Sequence, residues 1–345
     1  MRRPDKTRGI DTSPEGLVSP GISRRAILAA AGAGVVLPQI SAAQARAAPS
    51  GPLGPLSASW RSAETLSLWQ GAPPEHGYRA LPVPAESPPG FLRNISSPTL
   101  HVFRPRLANR RAVLLMPGGA YSFVVGTHEG ADTADRLTAL GYTVFVLAYR
   151  LPGEGWSNRW NVPLQDAQRA IRLVRANAAR YGIDQAKVAV LGYSAGGHLA
   201  ASLATGFAEP VYAPRDAVDA LDPRPSAAGL IYPVITLAPR YTNPQSAASL
   251  LGPTPSDTLI AQRSPELQVT AATPPAFLVH ALDDPAVPPE NSFMMLSALR
   301  SARVPAEAHF FERGGHGFGL GSADAPNGQW PALFDSWLGQ HFAST

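Results

Sequence analysis

Gly192-Tyr193-Ser194-Ala195-Gly196 decides how the rest of the chain is read. Immediately before it, Lys187-Val188-Ala189-Val190-Leu191 is a short, β-branched, apolar run that reads as a fully buried strand. After it, residues 197–204 are mostly small and read as a helix that can pack close against a sheet. Strand, tight turn and helix are the setting in which G-x-S-x-G has chemical meaning. The turn holds the serine in strained backbone geometry, and glycines two residues to either side remove Cβ atoms that would clash. The hydroxyl then stands clear of the sheet edge, with a helix N-terminus beneath it to stabilise developing negative charge. By itself the motif is weak in a chain with 31 glycines among 345 residues, where an ordinary glycine-rich turn looks the same. Its meaning depends on what the flanking chain supplies.

Outward from this stretch the chain alternates. Strands are expected at 99–103, 111–116, 142–149, 227–233, 275–281 and 306–312, and helices at about 129–140, 163–181, 291–302 and 329–342. In the clearest helix Leu164, Ala167, Ile171, Val174, Ala178 and Tyr181 fall on one face. Apolar runs buried on both sides, alternating with helices, indicate an α/β fold with a mainly parallel central sheet covered by helices on both faces. Residues 236–273 break the rhythm. They are rich in Pro, Ser and Thr, with a short helix near 247–251, and are expected to form a small lid-like insertion in a catalytic domain spanning 99–345. Residues 48–98 form a proline-rich lead-in, with Trp60 and Trp69 as its docking points.

An apolar content of 45% with 16% charged residues fits a globular protein, and the formal charge of +4 would suggest nucleic-acid or membrane partners. The excess is local. Residues 1–47 carry seven Arg/Lys and three Asp/Glu, and the charges beyond them balance, so no nucleic-acid partner is expected. Ser23-Arg24-Arg25-Ala26-Ile27-Leu28 follows a polar stretch and leads into an apolar run, 26–37, too short to span a bilayer. Ala43-Gln44-Ala45 and Ala45-Arg46-Ala47 both have the A-x-A form of a cleavage site. The leader resembles a twin-arginine signal, with Ile27 where Phe is common and Ala29 where Lys is common. That implies the twin-arginine translocation machinery as a partner, a periplasmic or secreted location, and no stable membrane insertion of the mature chain. There is no cysteine, so stability must come from the core. No phosphate-cradling glycine motif stands in its required context, and His128, Asp132 and Asp135 read as a solvated helix face. No cofactor or metal is expected.

A serine nucleophile needs a base, an orienting acid and donors for an oxyanion. The base is His316, in Gly314-Gly315-His316-Gly317-Phe318, a glycine loop after the last strand. His198 reads as a packing or hydrogen-bonding residue beneath the serine, and His280 and His309 as strand residues. The acid lies in Asp283-Asp284-Pro285-Ala286-Val287-Pro288, just past a buried strand; the turn that follows favours Asp284 over Asp283. The Ala195 amide, with one or two from Gly118-Gly119-Ala120, supplies the oxyanion donors.

Pro117-Gly118-Gly119-Ala120-Tyr121, the G-x-S-x-G turn, Ile231-Tyr232-Pro233, the Asp284–Pro288 turn and the His316 loop together resemble the α/β-hydrolases. The order Ser194, Asp284, His316 is theirs and not that of chymotrypsin or subtilisin. Within that fold the chain is similar, over about 99–342, to the bacterial esterase/lipase group that includes carbohydrate (xylan) acetyl esterases. Pro117 stands where hormone-sensitive-lipase relatives have His, which argues against that subgroup and leaves the backbone donors intact. The resemblance implies a serine carboxylic ester hydrolase working through an acyl-enzyme on carbohydrate or other short-chain esters. Tyr121, Trp156 and Trp160 are the candidates for substrate contact, since aromatic faces suit a sugar ring or an aryl ester. Two other readings compete. A prolyl-oligopeptidase-like serine peptidase shares fold and order but normally adds a large propeller, which the lead-in is too short to form. A non-catalytic binding protein of this fold would usually have lost a triad member.

Overall fold

A computed structural model describes residues 54–343; the leader read from the sequence lies outside the described residues. The strands are β1 (Glu64–Ser67), β2 (Phe91–Leu92), β3 (Thr99–Phe103), β4 (Ala112–Met116), β5 (Val124–Val125), β6 (Thr143–Ala148), β7 (Val188–Tyr193), β8 (Ala228–Ile231), β9 (Ala276–Ala281) and β10 (Ala306–Phe311). Eight of them form one sheet in the order β1-β3-β6-β4-β7-β8-β9-β10. From β6 to β10 every neighbouring pair is parallel, while β3 runs antiparallel to both β1 and β6. The sheet is mainly parallel, as the sequence pattern requires.

The apolar runs are continuous because both faces are covered. In β4, Leu114 and Met116 pack into one core layer while Val113 and Leu115 pack into the other. In β7, Val188 and Val190 face the first layer, and Ala189, Leu191 and Tyr193 the second. Helices Val162–Ala176, Ser194–Gly206 and Glu290–Ser301 cover the first layer through Ile171, Leu199 and Met295. Helices Asp132–Ala139 and Trp330–Ala343 cover the second through Leu137, Trp330, Phe334 and Leu338. The smallest side chains of the 194–206 helix, among them Ala200, Ala201 and Ala204, let it lie close on the strands.

The lead-in adds structure that the sequence pattern did not disclose. Helix Ala58–Ser62 buries Trp60 in the second layer, stacked on His101 at 4.2 Å between ring centroids, and β1 extends the sheet beyond β3. Trp69 is buried in the first layer and its Nε1–H donates to Asp166 at 2.9 Å. The lead-in therefore grips the sheet edge from both sides. Farther on, β2 pairs with β5 as a two-stranded ribbon beside the loop that follows β4.

Residues 236–273 carry two helices, Pro244–Leu251 and Asp257–Gln262, and a 3₁₀ turn, Pro265–Leu267. Leu250 and Leu251 are buried. Polar bonds tie the segment to the body: Asn243 Nδ2–H donates to the Ala286 carbonyl at 3.0 Å, and Arg263 pairs with Glu209 at 2.8 Å.

Candidate active site

Every residue expected to carry chemistry emerges at the C-terminal edge of the sheet, where open α/β sheets place their sites. Tyr193 ends β7 and Ser194 begins the helix, with φ = +51°, a left-handed conformation that costs a serine about 1 kcal/mol or more. The neighbours leave no alternative to glycine. A Cβ at Gly196 would lie 2.1 Å from the Met116 carbonyl oxygen and 2.4 Å from that of Pro117. The turn is pinned by the Val234 amide, which donates to the Ser194 carbonyl at 3.0 Å, and by the Tyr193 hydroxyl, which meets Thr133 at 2.8 Å.

The triad is assembled. Ser194 Oγ lies 2.9 Å from His316 Nε2, and His316 Nδ1 lies 2.7 Å from Asp284 Oδ2. The carboxylate can only accept, so Nδ1 carries the proton and Nε2 is left to accept from the serine hydroxyl. The other oxygen of Asp284 accepts from the amides of Ala286 and Val287, both at 2.9 Å. Burial alone would raise the Asp284 pKa, but bonds from His280 and His316, the His316 charge and the Val287 amide outweigh it and hold the group well below the carboxylate range. His280 is fully buried behind the acid: Nδ1 meets Ser292 Oγ at 2.7 Å, and Nε2 faces the Val287 carbonyl at 3.0 Å and Asp284 Oδ2 at 3.3 Å.

Asp283, the competing acid, does something else. Its Oδ1 accepts from the amides of Gly314 and Gly315, both at 2.8 Å, and so holds the loop that carries His316.

The donor set differs from expectation at one residue. The Gly118 amide, expected to face an oxyanion, donates to Glu129 Oε2 at 2.6 Å and is committed inside the protein. Gly119 has φ = +128°, and a Cβ there would meet the Phe123 carbonyl at 2.1 Å. Its amide has no acceptor among the described residues. The Ala195 amide lies in the first turn of its helix, where amides lack intrahelical acceptors. Gly119, Ala120 and Ala195 are the amides of the expected set left without an acceptor among the described residues, and Gly119 and Ala195 are taken as the oxyanion donors.

The three aromatic candidates part company. Trp156 is 6% exposed and packs on the Tyr78 ring at 5.3 Å and under the Arg150 guanidinium at 4.9 Å, so its faces are spent on the body. Tyr121 is buried with its hydroxyl 2.8 Å from His198 Nδ1. His198 Nε2 faces the Arg263 carbonyl at 2.8 Å, and burial pushes the His198 pKa down to about 4, so the ring is neutral and Nδ1 accepts from the tyrosine. Trp160 is half-buried near Tyr121, His198 and Leu250, where the remaining space is about 10 Å³, too little for a substrate group. Tyr121 and Ser122 do line a cleft of about 400 Å³ in which Arg93, Asn94, Glu154 and Gln245 stand among Leu81, Pro82 and Leu151, a wall that sequence reading missed because four segments build it.

Comparison with known proteins places the chain in a family. Residues 100–299 match the BD-FAE family. The chain is 35% identical over 68% of its length to endo-1,4-beta-xylanase B of Butyrivibrio fibrisolvens, and 32% identical over 70% to an acetylxylan esterase of Xylanibacter ruminicola. It spans 35% and 49% of the lengths of those two curated relatives. Among solved structures it superposes on the acetyl ester-xyloside bifunctional hydrolase of Caldicellulosiruptor lactoaceticus with a TM-score of 0.68 at 32% identity, covering 84% of this chain and 98% of that one. A mainly parallel sheet, a TM-score of 0.68 to a solved hydrolase and a family match over more than half the chain lead to one conclusion: this chain has the α/β-hydrolase fold and belongs to the BD-FAE family.

Proposed function

We propose that the chain is a serine carboxylic ester hydrolase that works through an acyl-enzyme and removes acetyl or other short acyl groups from hydroxyl-rich alcohols, carbohydrates above all. The observation that carries the reading is the unbroken relay Ser194 Oγ to His316 Nε2 at 2.9 Å and His316 Nδ1 to Asp284 Oδ2 at 2.7 Å. Ser194 Oγ attacks the ester carbonyl carbon as its proton passes to His316 Nε2. The negative charge on the carbonyl oxygen is met by the amides of Gly119 and Ala195. As the C–O bond to the alcohol breaks, His316 returns the proton to the departing oxygen. Water then attacks the acyl-serine, giving its proton to His316, and the acid leaves with Ser194 restored.

The side chains of Arg93, Asn94, Glu154 and Gln245 in the cleft beside the loop that carries Gly119 support an alcohol with several hydroxyl groups, and the similarity to an acetylxylan esterase and to an acetyl ester-xyloside hydrolase supports acetylated xylan-type material. The twin-arginine-like leader supports export through that machinery and action in the periplasm or outside the cell. Among the described residues no helix is long and apolar enough to cross a membrane.

The test is a substrate panel on the purified full chain. Hydrolysis of p-nitrophenyl acetate and of acetylated xylo-oligosaccharides, blocked by a serine-directed organophosphonate and abolished in Ser194→Ala, is the expected result. Peptide amide cleavage without ester cleavage would reassign it as a peptidase, and neither activity would make it a binding protein. A clear preference for long-chain acyl esters over acetylated sugars would overturn the substrate class.

A further inference from the structure

Glu129 lies on a wide π-type turn, Gly126–Ala131, broken at Thr127 (φ −84°, ψ −107°), and is 3% exposed. Such turns swing a side chain off the face that a regular helix would give it. Both carboxylate oxygens are used. Oε2 accepts from the Gly118 amide at 2.6 Å, and Oε1 accepts from the Tyr232 hydroxyl at 2.9 Å. Burial, together with the nearby Glu129 charge, drives the Tyr232 pKa far up, so the phenol keeps its proton and donates it. The same phenolic oxygen accepts from the Gly319 amide at 3.0 Å, three residues past His316. The Tyr232 ring also meets the His316 ring edge-on at 5.1 Å. One acid thus joins the loop that carries Gly119 to the loop that carries His316. It has no ion-pair partner among the described residues.

An anion at this place is costly unless it does something. A Cβ at Gly118 would be 2.9 Å from Glu129 Oε2 and 2.9 Å from the Ser194 Cβ, so the carboxylate lies close to the reacting centre, where a second negative charge opposes oxyanion formation. We infer that Glu129 is a positioning residue: by holding the Gly118 amide inward it fixes the following peptide so that the Gly119 amide faces the substrate oxygen, and through Tyr232 it holds the His316 loop in register with it. Donors act in catalysis only when held ready before charge develops. The inference rests on the proposed ester hydrolysis.

The experiment compares Glu129→Ala, Glu129→Gln and Tyr232→Phe with wild type on p-nitrophenyl acetate, with active sites titrated by the organophosphonate. For Glu129→Ala the expected result is a fall in kcat per titrated site of about a hundredfold, the scale for one mispositioned oxyanion donor, with KM changed less than about threefold. Glu129→Gln keeps an oxygen for the Gly118 amide and is expected to recover at least about tenfold of that loss. Tyr232→Phe retains the ring packing and is expected to lower kcat with the same unchanged KM. A purely structural contact would lower Tm and the number of titrated sites and leave kcat per site alone. Glu129→Ala at wild-type kcat per site, or a loss confined to KM, overturns the inference. If Glu129→Ala does not fold, Tyr232→Phe becomes the deciding variant, and wild-type kinetics there overturn the inference. A wild-type chain inactive on every ester is a different result, which removes the proposed function itself.

Discussion

Replacing Asp284 by Asn exchanges one carboxylate oxygen for an NH2 group and leaves the shape of the side chain alone. The amide has two possible orientations, and the structure chooses between them. If the NH2 takes the place of Oδ1, it points at the amides of Ala286 and Val287, and one half-buried and one buried N–H group lose their acceptor. Each orphaned donor costs about 1–3 kcal/mol. If the NH2 takes the place of Oδ2, it faces His316 Nδ1 and His280 Nε2. His280 can fall back on the Val287 carbonyl at 3.0 Å, so this second orientation wins. It has a consequence for the base. His316 Nδ1 must now accept from the NH2, its proton moves to Nε2, and Nε2 can no longer take the proton of Ser194. The expected loss in kcat is about 10⁴-fold, roughly 5 kcal/mol in the barrier, the size the same exchange produces in a Ser-His-Asp protease triad. The assay is steady-state hydrolysis of p-nitrophenyl acetate at neutral pH, with thermal unfolding to show that the variant is folded. A folded Asp284→Asn enzyme within about tenfold of wild type would refute the tautomer argument and with it the role given to Asp284.

Asp283→Ala removes two surface amide bonds that hold the His316 loop and leaves the base itself untouched. A fall in kcat of about tenfold is expected, from about 0.5–1 kcal/mol per bond, and a loss as deep as that of Asp284→Asn would exchange the roles of the two acids. Glu154 gives a stability prediction. Burial pushes its carboxyl up from 4.5 to about 7, although the amides of Asn94 and Ile95 both donate to it. Between those two values the folded chain holds a proton that the unfolded chain has released, so stability falls as pH rises through this window and is level above it. Glu154→Gln removes that slope, and Tm curves of wild type and variant that run parallel from about pH 5 to 7.5 would sink the assignment.

The layered fold was legible because burial on both sides leaves no polar interruption in β4, β6 and β7, and because each of these strands ends at a glycine-bearing or polar turn. The expected triad was legible for a related reason: Ser194 directly follows β7, and Asp284 and His316 stand in the short turns after β9 and β10, so topology brings them to one edge. What the sequence hid depends on partners far along the chain. Glu64-Thr65-Leu66-Ser67 has no apolar run, since β1 lies at the sheet edge and is half-exposed, and only pairing with β3 makes it a strand. Trp156 reads identically whether it lines a pocket or lies against Arg150. Glu129 was placed at the start of an ordinary helix, and a period of 3.6 carries no sign of a turn that widens and turns its acid inward.

That hidden acid belongs to a pattern. The loops around the site are rich in glycine because the backbone must come close to the serine and to the substrate oxygen, and glycine loses the most conformational freedom when it is ordered. Apolar packing cannot supply the missing order to the glycines themselves, which have no side chain to pack. The structure supplies it with oxygen acceptors instead: Asp283 for Gly314 and Gly315, Asp284 for Ala286 and Val287, Glu129 for Gly118, and the Tyr232 hydroxyl for Gly319. Three of the four are carboxylates, whose bonds to N–H groups are roughly twice as strong as neutral ones. Of these only Asp284 also faces the base, through the one oxygen its turn leaves over. Asp283 and Asp284 each give one oxygen to two backbone amides, so the difference between the catalytic acid and its neighbour is set by where the remaining oxygen points.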